Sequence, residues 1–325
     1  MKGLMQAIRI HSFGESDVMC LENVESRRPQ AGQILVRIKA AGVNPVDTYI
    51  RKGQYSLDIM LPFTPGMDAA GVVDVVGEGV TRFAPGDKVY VSGTHLGTYA
   101  EETVCSVHEA VFLPEAFSFA QGAAIGIPFA TAYRALFTKA QAVDKETVMV
   151  HGGSGGVGTA VVQLAKCLGL SVIATAGSEK GLSLLRTLGA DMVLNHTSEN
   201  YCQEVLDFTR GRGVQIIVEM LANKNLAADL QMLDQNSRIV IVGCRGEVTI
   251  NPREAMSRDA TICGMSLLNL SAEERQKVFQ ALDPYFQNGS LSPVVGREFK
   301  LRDASLAHDA VMQPGASGKI ILLVD

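Results

Sequence analysis

No stretch of this chain reaches the roughly 18 uninterrupted apolar residues that a membrane-spanning helix needs, so no span is expected. No run of about five or six basic residues occurs either. Net charge is −5 and the isoelectric point is about 5.7. A protein that lives by phosphate-backbone contacts carries a basic face, so nucleic acid, RNA included, is not the expected partner. The cysteines, Cys20, Cys105, Cys167, Cys202, Cys244 and Cys263, are scattered. None forms a CxxC or a Cys/His pair at metal-ligand spacing, which predicts reduced thiols and a cytoplasmic protein. The opening MKGLMQAIRIHSFGES has no apolar core and no cleavage site, so a signal peptide is not expected. Internal repeats and low-complexity linkers are missing too.

What the chain does have is length and glycine in the right place. Its 325 residues, 47% hydrophobic and 19% charged, suit a globular enzyme of two domains. Val148–Gly158 reads VMVHGGSGGVG, an apolar run leading into a GxGxxG at Gly153, Gly155 and Gly158. Helical spacing follows from Thr159 to Leu168, with Val161, Val162, Leu164, Ala165 and Leu168 apolar. A strand, a glycine turn and a helix start in sequence cradle a dinucleotide pyrophosphate. Glycine lets the backbone approach the phosphates, and the N–H groups at the helix start favour negative charge.

The next strand, SVIAT from Ser171 to Thr175, ends at Ala176-Gly177-Ser178. NAD-binding folds usually carry an acidic residue about 20 residues past the glycines, on the ribose 2′-OH. No carboxylate stands at this tip. Ser178 and Lys180 are placed to bind a 2′-phosphate instead, with Glu179 between them. The expected cofactor is NADPH.

Residues 1–125 read as β-rich. ILVRIKA, from Ile34 to Ala40, alternates like a strand with one wet face, and Gly71–Val76 and Asp87–Val91 resemble buried strands. Beyond residue 126 strands and helices alternate, with strands expected at 147–151, 171–175, 192–195, 215–219, 238–243 and 261–268 and a helix at 179–188. Six strands with crossovers predict an α/β fold with a doubly wound parallel sheet. Ser271-Ala272-Glu273-Glu274 has capping-box spacing, and Gly318–Val324 reads as a closing strand. The expected layout is a first domain, 1–125, completed by 269–325, with the dinucleotide domain, 126–268, inserted.

Several segments carry a family resemblance over essentially the whole chain. They are GVNPVDTYIRKGQY (Gly42–Tyr55), LPFTPGMD (Leu61–Asp68), GAAIGIP (Gly122–Pro128), TAYRAL (Thr131–Leu136) and EMLAN (Glu219–Asn223). On these the chain resembles the medium-chain dehydrogenase/reductases and, within them, the zeta-crystallin group of NADPH:quinone oxidoreductases. The resemblance implies a GroES-like catalytic domain beside a Rossmann domain, with the active-site cleft between them. It also implies a homodimer or homotetramer, with the sixth strand at an outer sheet edge.

The zinc-dependent alcohol dehydrogenases of the same superfamily carry Cys where Asn44 stands and His where Met67 stands. An amide and a thioether cannot replace thiolate and imidazole on zinc. The structural-zinc lobe is missing as well, since Ser92–Gly97 runs straight across. No metal is expected. Reduction of an electron-poor quinone needs only hydrogen-bond donors for the charge that builds on its oxygens. Tyr49 and Tyr55 are candidate donors, because a phenol with a pKa near about 10 stays protonated. By resemblance Tyr49 also touches the cofactor, which leaves Tyr55 for the substrate.

Further cofactor positions follow from the resemblance. Asn44 faces the nicotinamide and Thr131 sits nearby. Ser154, Gly155, Gly156 and Val157 form the pyrophosphate turn, and Gly177 lies where the 2′-phosphate approaches. His196 and Asn225 follow the third and fourth strands. Val242, Gly243, Cys244 and Arg245 end the fifth, and Met265, Ser266 and Leu267 lie on the sixth. Cys244 has no visible base, so it reads as a small apolar filler rather than a nucleophile. The expected activity is metal-free quinone reduction. The rivals are an enone or 2-alkenal reductase on the same scaffold, and a binding role, structural or RNA-directed.

Overall fold

The computed structural model describes residues 3–55, 59–94 and 96–325. His95, inside the segment where a zinc lobe is missing, lies outside the described residues. The chain forms two units. One comprises the residues up to Ile127 together with Ser271–Gln313 and Gly318–Asp325; the other comprises Pro128–Leu270 and Pro314–Ser317.

The first unit is built on the strand Gln33–Val43. It pairs antiparallel with Asp68–Val76 on one side, and with Glu102–Ser106 and Lys319–Leu323 on the other. Lys88–Ser92, Ala110–Phe112 and Val295–Lys300 extend this seven-stranded sheet. The wet face expected for Ile34–Ala40 survives only at Arg37, which is exposed, and at half-buried Gln33 and Lys39. The strand also runs on to Val43, and Ala40–Val43 are buried throughout. The cause is its central position. Ile34 and Val36 feed a core with Val73, Phe83 and Val89, and Ile38, Ala41 and Val43 feed another with Ile8, Tyr99 and Leu322. A separate two-stranded ribbon pairs Leu4–Ile10 with Met19–Glu25. Ser271 and Glu274 cap the helix Ala272–Gln287 reciprocally: Glu274 N donates to Ser271 Oγ (3.2 Å) and Ser271 N donates to Glu274 Oε2 (2.8 Å).

The second unit holds six strands, all pairings parallel. In space they run Met192–Asn195, Ser171–Ala176, Thr147–Val150, Val214–Glu219, Leu233–Ile241, Thr261–Gly264. Counted along the chain this is the order 3-2-1-4-5-6 of a dinucleotide-binding doubly wound sheet. Val148, Val150, Val172, Ile173, Ile216, Ile217 and Val218 are completely buried, as strands covered on both faces must be. The order reverses between the first and fourth strands, and ligands of such sheets bind at the carboxyl ends there.

The sixth strand is shorter than expected. It stops at Gly264, and Leu267–Asn269 is a 3₁₀ turn capped by Ser266, whose side chain accepts from Leu268 N (3.3 Å). A local side-chain hydrogen bond thus ends a segment whose composition alone would have continued as strand. Met265, Ser266 and Leu267 therefore lie past the strand rather than on it. Gly264 and Thr261 are exposed, and the strand pairs on one side only. Among the described residues no helix is long and apolar enough to cross a membrane.

Candidate functional site

In the second unit the first strand delivers His151 and then the glycine turn. Gly152 takes φ +57°, a left-handed conformation that costs glycine little. Gly153 N donates to Thr175 O (2.8 Å) and Gly152 N to Thr175 Oγ1 (3.2 Å), which pins the turn to the second strand. The helix Gly156–Cys167 begins here, three residues earlier than expected, with Gly155 as its N-cap and no side chain capping it.

The three glycines have different reasons to be glycine. A Cβ on Gly158 would sit 2.4 Å from Gly152 O and 2.5 Å from Gly153 Cα, so helix and turn could not meet. A Cβ on Gly153 would press Leu185 and Ala174 at 3.0–3.1 Å. On Gly155 a Cβ would meet nothing closer than 3.5 Å. The protein's own atoms do not require glycine at 155, whereas a phosphate seated against that backbone would. The turn therefore fits a pyridine dinucleotide. Gly156 and Val157 open the helix beside it. Ser154 is buried and its Oγ donates to Ala316 O (2.6 Å), so this hydroxyl already serves the segment Pro314–Ser317.

At the tip of the second strand, Gly177 is exposed and Ser178 N-caps the helix Glu179–Thr187. Ser178 Oγ accepts from Gly181 N (3.2 Å) and keeps its own O–H for another partner. Glu179 and Lys180 are exposed in the first turn. A Cβ on Gly177 would lie 2.8 Å from His196 Nε2, so the imidazole rests over this glycine. The fold thus brings Gly177, Ser178 and His196 together, with Lys180 on the adjoining turn.

The fourth and fifth strands end at one node. Val242 N (2.8 Å) and Gly243 N (3.2 Å) both donate to Glu219 O. Asn225, on the helix Ala222–Asp229, donates through Nδ2 to Glu219 Oε1 (3.0 Å). Arg245 N donates to Asn223 Oδ1 (2.9 Å). Cys244 is exposed and its thiol donates to Gly246 O (3.0 Å), so it fills no apolar gap, because the chain has left the sheet by this point. Arg134 holds Ser266 O (2.6 Å). Thr131 is buried in the helix Gly126–Tyr133.

In the first unit Asn44 precedes the helix Pro45–Arg51, which carries Tyr49; Tyr49 and Tyr55 are both half-buried. Asn44 is buried in a charged cluster that reading the chain did not reveal. Its Nδ2 donates to Asp68 Oδ2 (3.0 Å), and its Oδ1 accepts from Lys319 Nζ. Lys319 Nζ lies 3.4 Å from Asp68 Oδ2. Asp68 Oδ1 accepts from Ile127 N (3.0 Å) and Ser92 Oγ (3.3 Å). Burial holds the Lys319 ammonium below its usual range, with Asp68 and Asp47 opposing.

Asp47 continues this cluster. Its Oδ2 accepts from Asn44 N (2.8 Å) and from Tyr99 Oη (3.1 Å). Tyr99 Oη in turn lies 3.1 Å from His308 Nε2, and Arg51 Nη1 lies 3.4 Å from His308 Nδ1. Burial pushes Asp47 up to about 7, while burial and the Arg51 charge push His308 down to about 3. Lys319 was missed because it is the lone charge of an apolar strand, and Asp68 because it opens a strand that also carries Asp74. For Lys319 that mismatch with the surrounding pattern was the available signal.

Two family models match the chain, "Alcohol dehydrogenase GroES-like domain" over residues 30–115 and "Zinc-binding dehydrogenase" over residues 156–283. The rat protein named quinone oxidoreductase is 45% identical over 99% of this chain and 98% of its own length. The chain belongs to the quinone oxidoreductase family. With it comes membership of the medium-chain dehydrogenase/reductases, which bind pyridine nucleotides. Among solved structures, one titled an NAD-dependent alcohol dehydrogenase superposes with TM-score 0.92 at 30% identity, over 99% of this chain and all of the other. A mycobacterial protein solved with NADPH superposes with TM-score 0.90 at 28% identity, over 98% and all of the two chains. Neighbours this alike differ in the coenzyme that their titles name, so the fold alone does not select between NADH and NADPH.

Proposed function

We propose that this chain is an NADPH-dependent quinone reductase that works without zinc. The observation that carries the reading is the Asn44–Lys319–Asp68 cluster. Where the zinc enzymes of the superfamily place an anionic sulfur and an imidazole, this chain offers an amide, a thioether and a fixed ammonium. With the Asp68 carboxylate already paired to that ammonium, the amide and thioether do not replace thiolate and imidazole on zinc, and the ammonium-polarised amide suits an acceptor that gathers negative charge. The full-length likeness to a protein named quinone oxidoreductase supports the same substrate class.

Bound NADPH would supply the hydride. The chain's part is to hold the acceptor and stabilise the charge that develops on it. Lys319 on Asn44 Oδ1 polarises the amide, and the second Nδ2–H, not engaged by Asp68, becomes a stronger donor. Tyr55 would donate to the acceptor, and Tyr49 would contact the cofactor, as the family resemblance implies. For the cofactor itself, the absence of a carboxylate at Ala176-Gly177-Ser178 and the closeness of His196 to Gly177 favour a 2′-phosphate.

The test follows NADPH absorbance with an ortho-quinone and a short 2-alkenal side by side. Faster turnover of the quinone is expected; a larger kcat/KM for the alkenal would replace this reading with that of an enone reductase. The edge strand Thr261–Gly264 also supports pairing with a second copy of the chain. A single 34.7 kDa species in sedimentation equilibrium at micromolar concentration would refute such a dimer.

A further inference from the structure

Beneath the glycine turn the second unit buries three titratable side chains that the proposed chemistry does not use. They are His151, at the end of the first strand, Glu219, at the end of the fourth, and Asp229, at the end of the helix Ala222–Asp229. All are at most 1% exposed. His151 Nε2 lies 2.7 Å from Asp229 Oδ1 and 3.5 Å from Glu219 Oε2. Glu219 Oε1 accepts from Leu221 N and Asn225 Nδ2. His151 Nδ1, Glu219 Oε2 and Asp229 Oδ2 find no hydrogen-bond partner among the described residues. One carboxylate oxygen of each of Glu219 and Asp229 nonetheless lies, with a His151 ring nitrogen, within 4.8 Å of the others. Two buried carboxyl oxygens face one another without repulsion only if one of them carries a proton.

We propose that His151, Glu219 and Asp229 form a shared-proton cluster that couples nucleotide binding at the glycine turn to proton uptake. The coupling follows from position. His151 directly precedes Gly152, and Glu219 ties the ends of the fourth and fifth strands to Asn225. A pyrophosphate arriving at this end of the sheet brings negative charge close to a buried pair that already holds one proton between two carboxylates. The added charge favours a second proton. These are positioning residues, since they act through the turn and through Asn225.

The electrostatics agree. Burial pushes both Glu219 and Asp229 up to about 7, and burial holds His151 below its usual value. The other titratable groups facing the cluster are Tyr201, edge-on to the His151 ring with centroids 6.3 Å apart, its neighbour Cys202, and His196. Burial raises Tyr201 and Cys202 and lowers His196, so all three stay neutral near pH 7. The carboxylate pair is then the group that titrates. Its proton affinity is higher in the complex than in the free protein, so nucleotide affinity falls as pH rises through about 7.

The inference rests on the reading of the glycine turn as a nucleotide site, and its test reads no activity. Isothermal titration calorimetry of NADPH binding to the full chain, in two buffers of different ionisation enthalpy, counts protons. Net uptake is expected at pH 7, with affinity falling by at most about tenfold per pH unit for one linked proton. The 2′-phosphate of the ligand titrates near about 6, so the titration is repeated with ADP-ribose, which lacks it. Uptake should persist with ADP-ribose. It should be lost in Asp229→Asn and in Glu219→Gln, which keep shape and offer an amide N–H to the facing carboxylate. Absence of uptake by the wild type with ADP-ribose, a measurement independent of whether either variant folds, would overturn the proposal. So would equal uptake in the wild type and the folded variants. Failure to reduce quinones would leave the proton count standing.

Discussion

In the β-rich unit, Asp47 and Asp68 share their burial with the Lys319 ammonium; in the parallel-sheet unit, Glu219 and Asp229 are buried beside a neutral histidine. Both clusters stand at strand or helix ends and both include an asparagine, Asn44 in one and Asn225 in the other. The difference lies in the counter-charge. An internal ammonium offsets the carboxylates of the first cluster, although burial pushes Asp47 up to about 7, and its amide is held at both ends. The second has no internal cation among the described residues and must hold protons, so its state depends on what arrives nearby. One cluster carries its own counter-charge; the other does not, and its proposed role is to respond to a bound anion.

The largest effect should come from making the first cluster like the second. Lys319→Met leaves two carboxylates without their cation, and removing one partner of a buried pair costs about 3–5 kcal/mol. Urea unfolding at pH 7 measures this. Adding Asp68→Asn to the same chain should recover much of the loss, because it removes one of the stranded charges. An unchanged midpoint and slope for the single variant would mean that Lys319 balances nothing.

The second unit depends on ligand charge, and Lys180 tests how. If Lys180 meets the 2′-phosphate, Lys180→Ala should narrow the NADPH-over-NADH preference by about tenfold to a hundredfold, the value of one charge-assisted hydrogen bond. Fluorescence titration with both cofactors checks it. Equal dissociation constants in the wild type would remove the basis for NADPH.

The smallest effect concerns Tyr55, a neutral donor in the same unit as the first cluster. Tyr55→Phe should lower quinone kcat/KM about tenfold, or about 1.4 kcal/mol, with NADPH binding nearly unchanged. Tyr49→Phe should weaken NADPH more than it slows turnover. A wild-type rate for Tyr55→Phe, with a deuterated-cofactor isotope effect showing hydride transfer to be rate-limiting, would transfer the donor role to Asn44.

The parallel sheet was readable from the chain because its strands are short β-branched runs and its turn carries glycine where a Cβ would collide. Gly158 is the clearest case, with backbone 2.4 Å from the missing carbon. The sixth strand reads too long in the sequence because Thr261–Leu268 is mostly apolar and uncharged, and only the Ser266 hydroxyl accepting from Leu268 N reveals the end. The two charge clusters were not readable. Lys319 and Asp68 are 251 residues apart, and His151 and Asp229 are 78 apart. A single charge in an apolar run looks like a surface residue until the fold supplies its partner. Asn44 was singled out, yet the ammonium that polarises it could not be foreseen from the helix it caps.

The segment Pro314–Ser317 belongs to the nucleotide unit, although the residues on either side of it belong to the other. During synthesis from the amino end, Ser154 is made 162 residues before the Ala316 carbonyl that its hydroxyl bonds. Ala40–Val43, the end of the central strand, likewise waits for Lys319–Leu323 to cover its second edge, the rest of which Glu102–Ser106 covers. Neither half can therefore finish folding as an independent nascent domain. Both reach their final hydrogen bonding in the same short interval, when residues 314–323 leave the ribosome, and a polypeptide arrested before that point would expose an unpaired sheet edge and an untied glycine turn together.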